Sequence, residues 1–365
     1  MAFTTINDAE AYFQTVTYTG NGTGIGSGGL SVTFPGETDL APGLLWLKRR
    51  DGDASYHVFH DSVRGSQTRF YPNTGDAEDT SVTEAVNAFT SDGFNLGNSG
   101  QGNGSGLKHV AWCWKAGTTS GIGTSGQDIT PSGYSIETTS KFGIYAYGGN
   151  GSADQQINHG LGAAPAFMIN KVRSNGDQDW HVFHNKLQQQ GGGGDPEDFY
   201  MYFNTEIAPT DRAESWQDTL PDTTDFTLGN SNDGNQSGQT FMMYAWAEVQ
   251  GFMRTGIYGG MTSENVDGVY NYCGFRPALI IIKAAYASKP WLIFDNKRNG
   301  FNGGNESLDT SSANETTAEY IEIYSNGFKI ISSNGDVNTD DVLYMWTAWA
   351  EMPFLNSNGV PANAR

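Results

Sequence analysis

Asn103–Trp114 reads NGSGLKHVAWCW, and two later stretches repeat its frame: Asn235–Trp246, NQSGQTFMMYAW, and Asn338–Trp349, NTDDVLYMWTAW. In each, an asparagine stands eleven residues before a tryptophan. A second spacing travels with the first, a proline six residues before a lysine: PGLLWLK (Pro42, Lys48), PAFMINK (Pro165, Lys171) and PALIIIK (Pro277, Lys283). Fixed spacings returning at intervals of more than a hundred residues mark tandem copies of one folding unit. Copies that share apolar and turn positions, but no reactive group, point to a construction or binding module rather than an enzyme.

Working outward, each copy has the same internal order. An aromatic strand and glycine turn come first (Tyr18, Tyr147, Tyr258), followed by the proline-to-lysine segment. Next come YHVFHD from Tyr56, WHVFHN from Trp180 and WLIFDN from Trp291, in which Phe59, Phe183 and Phe294 align as one column. A long polar insertion and a short element at Phe94, Phe226 or Phe328 precede the asparagine–tryptophan segment. Consecutive apolar residues after each proline (Leu44-Leu45-Trp46, Phe167-Met168-Ile169, Leu279-Ile280-Ile281) predict a central strand covered on both faces. In the last segment Trp114, Trp246 and Trp349 share a strand face with Val110, Met242 and Met345. The other face carries Cys113, Ala245 and Ala348, although such Ala-Met-Trp runs also fit a helix.

The expected fold class is therefore all-β, with three tandem antiparallel β-sandwich-like repeat domains. They span 1–118, 119–250 (opening on a glycine-rich linker over 117–133) and 251–365, the last with a C-terminal tail. Three small cores rather than one large one are expected at this size. The lysines at 48, 171 and 283 are expected to end their strand with the ammonium in water or on a carboxylate.

With 40 acidic against 20 basic residues, the net charge of −20 argues against nucleic-acid binding and against docking on an anionic membrane. Cys113 and Cys273 fall at unmatched positions, which suits two buried thiols in a reducing cytosol rather than a metal pair or a disulfide framework. No signal-peptide pattern opens the chain and no apolar run approaches 18 residues, so neither signal-directed export nor membrane insertion is expected.

The most catalytic-looking spot is His57, His60 and Asp61 with Arg64, matched in the second copy by His181, His184 and Asn185. Histidines three apart on a strand face opposite ways and cannot grip one metal. The third copy has Leu292 and Asp295 there, so strand-end hydrogen bonding is the better reading. Gly24–Gly29 holds a G-x-G-x-x-G match that does not lead from a strand into a helix, and chance explains it among 48 glycines. Asp51–Asp53, Asn230–Asn235 and Asp336–Asp341 cluster oxygen donors without the full calcium-loop pattern, and read as turns. No catalytic residue, cofactor site or metal site is expected. For binding, the second insertion (Gln188–Asn204) offers Tyr200 and Tyr202, with Trp216 following, as aromatic faces for a glycan; a core strand over Phe199–Phe203 is the alternative.

Several motifs carry a resemblance over nearly the whole chain: YTGNG (18–22), GLLWLKRR (43–50), HDSVRG (60–65), SDGFNLGN (91–98), AWCWKAG (111–117) and GFRPALIIIK (274–283). Taken together the sequence resembles repeat-built virion structural proteins of tailed, often marine, bacteriophages, of the tail fibre or tail-associated kind. The second copy departs from them, with Asn185-Lys186-Leu187 in place of the arginine–glycine turn, and the third keeps only Ala348-Trp349 of the cysteine–tryptophan motif. The resemblance implies a protein of the virion exterior, on the tail rather than the head, folded in the host cytoplasm and contributing to host adsorption. Implied partners are other virion proteins, further copies of the chain in a homo-oligomer, and a host-surface glycan or protein receptor. A capsid-decorating or spike protein is the alternative, and a glycan-cleaving tail enzyme the second.

Overall fold

In the computed structural model, residues 3–51, 55–188, 193–261, 268–299, 305–312 and 315–361 are described. The protein is all-β, and among these residues three large antiparallel sheets and two small ones carry the architecture. The first third contains β1 (Phe13–Thr19), β2 (Leu30–Thr33), β3 (Pro42–Arg49), β4 (His57–Asp61), β5 (Gly65–Phe70), β6 (Val86–Thr90), β7 (Gly93–Leu96) and β8 (Lys108–Lys115). Its large sheet has the order β1-β8-β3-β4-β5, and β2-β7-β6 form a separate small sheet.

The middle third contains β9 (Gly133–Glu137), β10 (Phe142–Gly148), β11 (Gln155–Asn158), β12 (Pro165–Val172), β13 (His181–His184), β14 (Phe199–Tyr202), β15 (Thr210–Asp211), β16 (Asp225–Leu228) and β17 (Thr240–Ala247). They make a sheet β15-β14-β13-β12-β17-β10-β9 and a pair β11-β16. The last third contains β18 (Met253–Gly259), β19 (Tyr270–Tyr272), β20 (Phe275–Ala284), β21 (Leu292–Asp295), β22 (Asn305–Asp309), β23 (Glu315–Tyr324), β24 (Gly327–Ile330) and β25 (Leu343–Pro353). Here one sheet runs through all eight strands, β18-β25-β20-β21-β22-β23-β24-β19.

The sequence markers explain the shared part of these orders. In each large sheet the asparagine–tryptophan strand (β8, β17, β25) lies between the first aromatic strand and the proline-to-lysine strand. The latter (β3, β12, β20) is paired on both edges and buried on both faces, as its unbroken apolar run requires. Proline has no N–H for the ladder, and the register is irregular beside it at Pro42, Pro165 and Pro277 alike.

The repeated asparagines close one loop of each third. Asn103, Asn235 and Asn338 end short helices, α1 (Gly100–Asn103), α3 (Asn232–Asn235) and α4 (Gly335–Asn338); α2 (Ala213–Trp216) lies in the middle insertion. Each Oδ1 accepts a backbone N–H from the turn after the first strand: Asn21 at 2.7 Å, Asn150 at 2.9 Å and Met261 at 2.8 Å. Each Nδ2 donates to a carbonyl ahead of its helix, on Gly97, Gly229 and Ser332. The aromatic strands join the same knot, with the hydroxyls of Tyr18, Tyr147 and Tyr258 donating to the carbonyls of Gly102, Gly234 and Val337.

Three separate small cores were the expectation, and the structure differs. Trp114, Trp246 and Trp349 meet one another, with ring centroids 5.7, 5.2 and 5.8 Å apart, in a single apolar cluster drawn from all three thirds. Two outer clusters remain, one under β2-β7-β6 and one under β11-β16. A face lined by tryptophans is too large and too apolar for one small sheet to cover, so the three sheets bury theirs against each other. Thr118 bridges Ile136, and Ile129 joins the middle outer cluster.

The marker lysines are a second correction. Lys48, Lys171 and Lys283 are buried rather than in water, and each ammonium group donates to a backbone carbonyl. Lys48 reaches Ser55 O, Lys171 reaches Gly75 O and Gln178 O, and Lys283 reaches Ile207 O and Ala287 O. Two of these acceptors, on Gly75 and Ile207, come from the insertion of the preceding third. Burial pushes the Lys171 amine down to about 8 and Lys283 to about 7, against the pull of nearby carboxylates.

The insertions thereby link the sheets in a ring. Thr74 of the first third accepts from Trp180 Nε1 and Glu78 pairs with Arg173. Tyr202 O of the middle third accepts from Trp291 Nε1, and Asp309 O of the last third bonds His57 Nε2 of the first.

Candidate functional site

The histidine-bearing strands β4 and β13 carry His57, His60 and Asp61, and His181 and His184. Trp46, Ile169 and Ile281 are equivalent positions four residues past their prolines, and they face Phe59, Val182 and Ile293. The Phe59–Phe183–Phe294 column read from the sequence is therefore offset by one in the first third. A one-residue slip turns every side chain to the other face. Phe59 points into the tryptophan core while Phe183 belongs to the middle outer cluster. His57 is then the counterpart of Trp180 and Trp291, which accounts for the matching bonds of all three to the neighbouring insertion.

None of these histidines is poised for acid–base work. His57 Nδ1 accepts from Trp46 Nε1 at 3.0 Å, so its proton sits on Nε2, facing Asp309 O. His184 Nδ1 accepts from the Lys186 N–H and Nε2 bonds Thr347 Oγ1 at 3.0 Å. Burial pushes His60, His181 and His184 each down to about 3, which keeps them neutral.

Equivalent to His184 are Asp61 and Asp295, each paired with an arginine three residues on. Arg64 Nε lies 2.6 Å from Asp61 and Arg298 Nε 2.5 Å from Asp295, with all four side chains buried. The other carboxylate oxygen accepts two turn N–H groups in both places, and the guanidinium returns to the carbonyl of Phe59 or Ile293. In the middle third Leu187 occupies the arginine position. Tyr244 completes the first site by donating to Asp61 Oδ2 at 2.8 Å from the middle sheet.

The structure brings the proposed glycan residues together but turns them inward. Tyr200 and Tyr202 are 5.1 Å apart, edge to face, on β14. Trp216, on α2, lies 4.6 Å from His181 in a parallel stack and is 1% exposed, so its face is covered. Tyr200 is 8% exposed, with the Arg212 guanidinium 4.3 Å over its ring. Arg212 pairs with Asp233 at 2.7 Å, and the Tyr202 hydroxyl donates to the same carboxylate oxygen at 2.9 Å. Burial alone would raise the Asp233 carboxyl, but His181, Arg212 and Tyr202 together hold it below its ordinary value. The sequence reading missed Arg212 and Asp233 as members of this group. Asp233 stood within the oxygen-rich Asn230–Asn235, but nothing in its spacing pointed to Tyr202.

Of the calcium-like stretches, Asp53 lies outside the described residues. Asp51 caps the Lys108 N–H and pairs with Arg49, and Asp336 lies 3.7 Å from Lys289. Among the described residues, no group of three or more His, Cys, Asp or Glu is arranged to hold a metal ion. Both cysteines are buried free thiols, and among the described residues no helix is long and apolar enough to cross a membrane.

An all-β body of antiparallel sheets meeting at shared tryptophans is thus the class this fold defines. The chain belongs to the family described as a domain of unknown function (DUF7483), whose sequence model matches residues 8–353. No curated protein and no solved structure matches the chain.

Proposed function

We propose that this chain is a structural protein on the exterior of a bacteriophage particle, a tail fibre or tail-associated protein that contributes to host adsorption. It is built as three tandem β-sandwich-like copies of one module. The observation that carries this reading is what the repeated residues do. The asparagine knots, the lysine-to-carbonyl contacts and the tryptophan trio all hold the body together. What the chain triplicates is architecture, while the insertions between the markers differ and supply the outer surface. The acidic balance keeps such a body away from packaged nucleic acid. Its partners on this reading are other virion proteins, further copies of itself and a host-surface glycan or protein receptor, engaged through many weak contacts summed by particle symmetry.

One observation favours a second placement, as a capsid-decorating or spike protein. Contacts running from first to second to third sheet and back to the first make a roughly threefold body, which suits a position of local threefold symmetry. Antibody labelling of intact particles tests both: density on the tail is expected, density on the head selects the second placement, and particles without label overturn the proposal. Release of reducing ends from host polysaccharide by the purified chain would replace it with the glycan-cleaving reading.

A further inference from the structure

Where the middle and last thirds meet, a cleft of about 430 Å³ opens beside the start of β18 and the end of β19. That volume falls in the range of small-molecule sites, roughly 300–1,000 Å³. Its lining includes Arg254, Tyr272 and Glu248, with Phe3, Val249 and Cys273.

The cleft differs from the Tyr200–Trp216 cluster, where the one arginine, Arg212, is already paired with Asp233. Arg254 is exposed and, among the described residues, has no carboxylate within ion-pair distance, in a chain with twice as many acids as bases. Glu248 and the segment around Tyr272 are anchored by hydrogen bonds. Glu248 Oε1 accepts from the Thr255 N–H at 2.8 Å and from its hydroxyl at 2.5 Å, which fixes the carboxylate at the rim with its second oxygen uncommitted in those bonds. Cys273 and Gly274 donate their N–H groups to Asn326 O, anchoring the segment that carries Tyr272. Tyr272 is 45% exposed, and its ring lies 5.5 Å from the Arg254 guanidinium.

We propose that this cleft binds a carboxylate-bearing sugar unit of an acidic glycan. The Arg254 guanidinium takes the carboxylate in a paired, two-hydrogen-bond contact. The Tyr272 ring packs against the apolar face of the pyranose, and Glu248 accepts from ring hydroxyls. A neutral sugar leaves the guanidinium without an anion, so charge sets the preference. This assignment rests on the adsorption reading for the choice of a glycan, and on the cleft alone for the choice of an acidic one.

The test is calorimetric titration of the full chain with trigalacturonate and with its methyl ester, which keeps the rings and removes the charge. The acid is expected to bind, the ester at least roughly tenfold more weakly, with the acid's affinity falling as salt rises. Arg254→Met should lose about the same factor with an unchanged melting temperature, Arg254→Lys should fall between, and Tyr272→Ala should weaken both ligands. Absence of saturable binding, equal affinity for acid and ester, or an unaffected Arg254→Met variant each overturns the proposal. Particle labelling reads the adsorption proposal separately: label on particles without trimer binding removes only the cleft assignment, and trimer binding without label removes only the virion assignment.

Discussion

The turn after the second core strand is built in two ways within one molecule. In the first and last thirds a buried aspartate holds a buried arginine, Asp61 with Arg64 and Asp295 with Arg298. In the middle third His184 and Leu187 occupy those places, and the neutral imidazole accepts the turn N–H that a carboxylate accepts elsewhere. The backbone task is constant, whereas the charge is optional. A buried ion pair is not required for this turn, since the middle third forms it with the uncharged His184 and Leu187.

The largest expected effect follows from breaking that pair on one side only. Arg298→Leu leaves Asp295 buried without its cation and should cost about 3–5 kcal/mol in urea unfolding. Copying the middle third into the first, Asp61→His with Arg64→Leu, should cost far less than Arg64→Leu alone. Equal losses in the single and double variants would show that the two turn designs are not interchangeable.

A pH series sharpens the contrast. The folded-state value of His184, about 3, lies below its unfolded value near 6.5. The unfolded chain therefore takes up the proton first. The stability this histidine contributes is complete above about pH 6.5 and is lost as pH falls toward 3, by up to about 1.4 kcal/mol per pH unit. His184→Asn, which keeps an acceptor for the turn, should remove one proton's worth of that slope. An unchanged slope would mean that the imidazole is not what acid attacks.

Asparagine replacements come next in size. Asn103→Ala and Asn235→Ala each strip a buried knot of its donor and acceptor, for an expected loss of about 1–3 kcal/mol by thermal or urea unfolding. Similar values in the two thirds would extend the likeness of their asparagine knots from geometry to energetics. Smallest is Tyr202→Phe, which removes one hydroxyl from a half-buried site where Arg212 still pairs Asp233, for about 0.5–1 kcal/mol.

Much of the architecture was legible because strand periodicity is a local property. The faces of the asparagine–tryptophan strand follow from parity, and β8 carries Trp114 and Val110 into the shared core with Cys113 on the other side. The lysines misled because Lys171 and Lys283 are sealed by Gly75 and Ile207, about a hundred residues earlier in one case and more than seventy in the other. The phenylalanine column misled because similar letters do not determine register when the preceding loops differ. The Tyr200–Tyr202–Trp216 grouping was half legible: the residues do converge, but their faces are covered by His181 and Arg212.

By itself, then, the sequence determined an all-β chain in which the same spacings occur three times, since alternation, turn residues and marker spacing act within a few residues of each other. Only the tertiary structure decided that the three tryptophan faces share one interior and that insertions cover the neighbouring sheet. It also decided which exposed groups remain uncommitted. Those outcomes depend on which distant surfaces exclude water from one another, and that pairing is a property of the assembled chain.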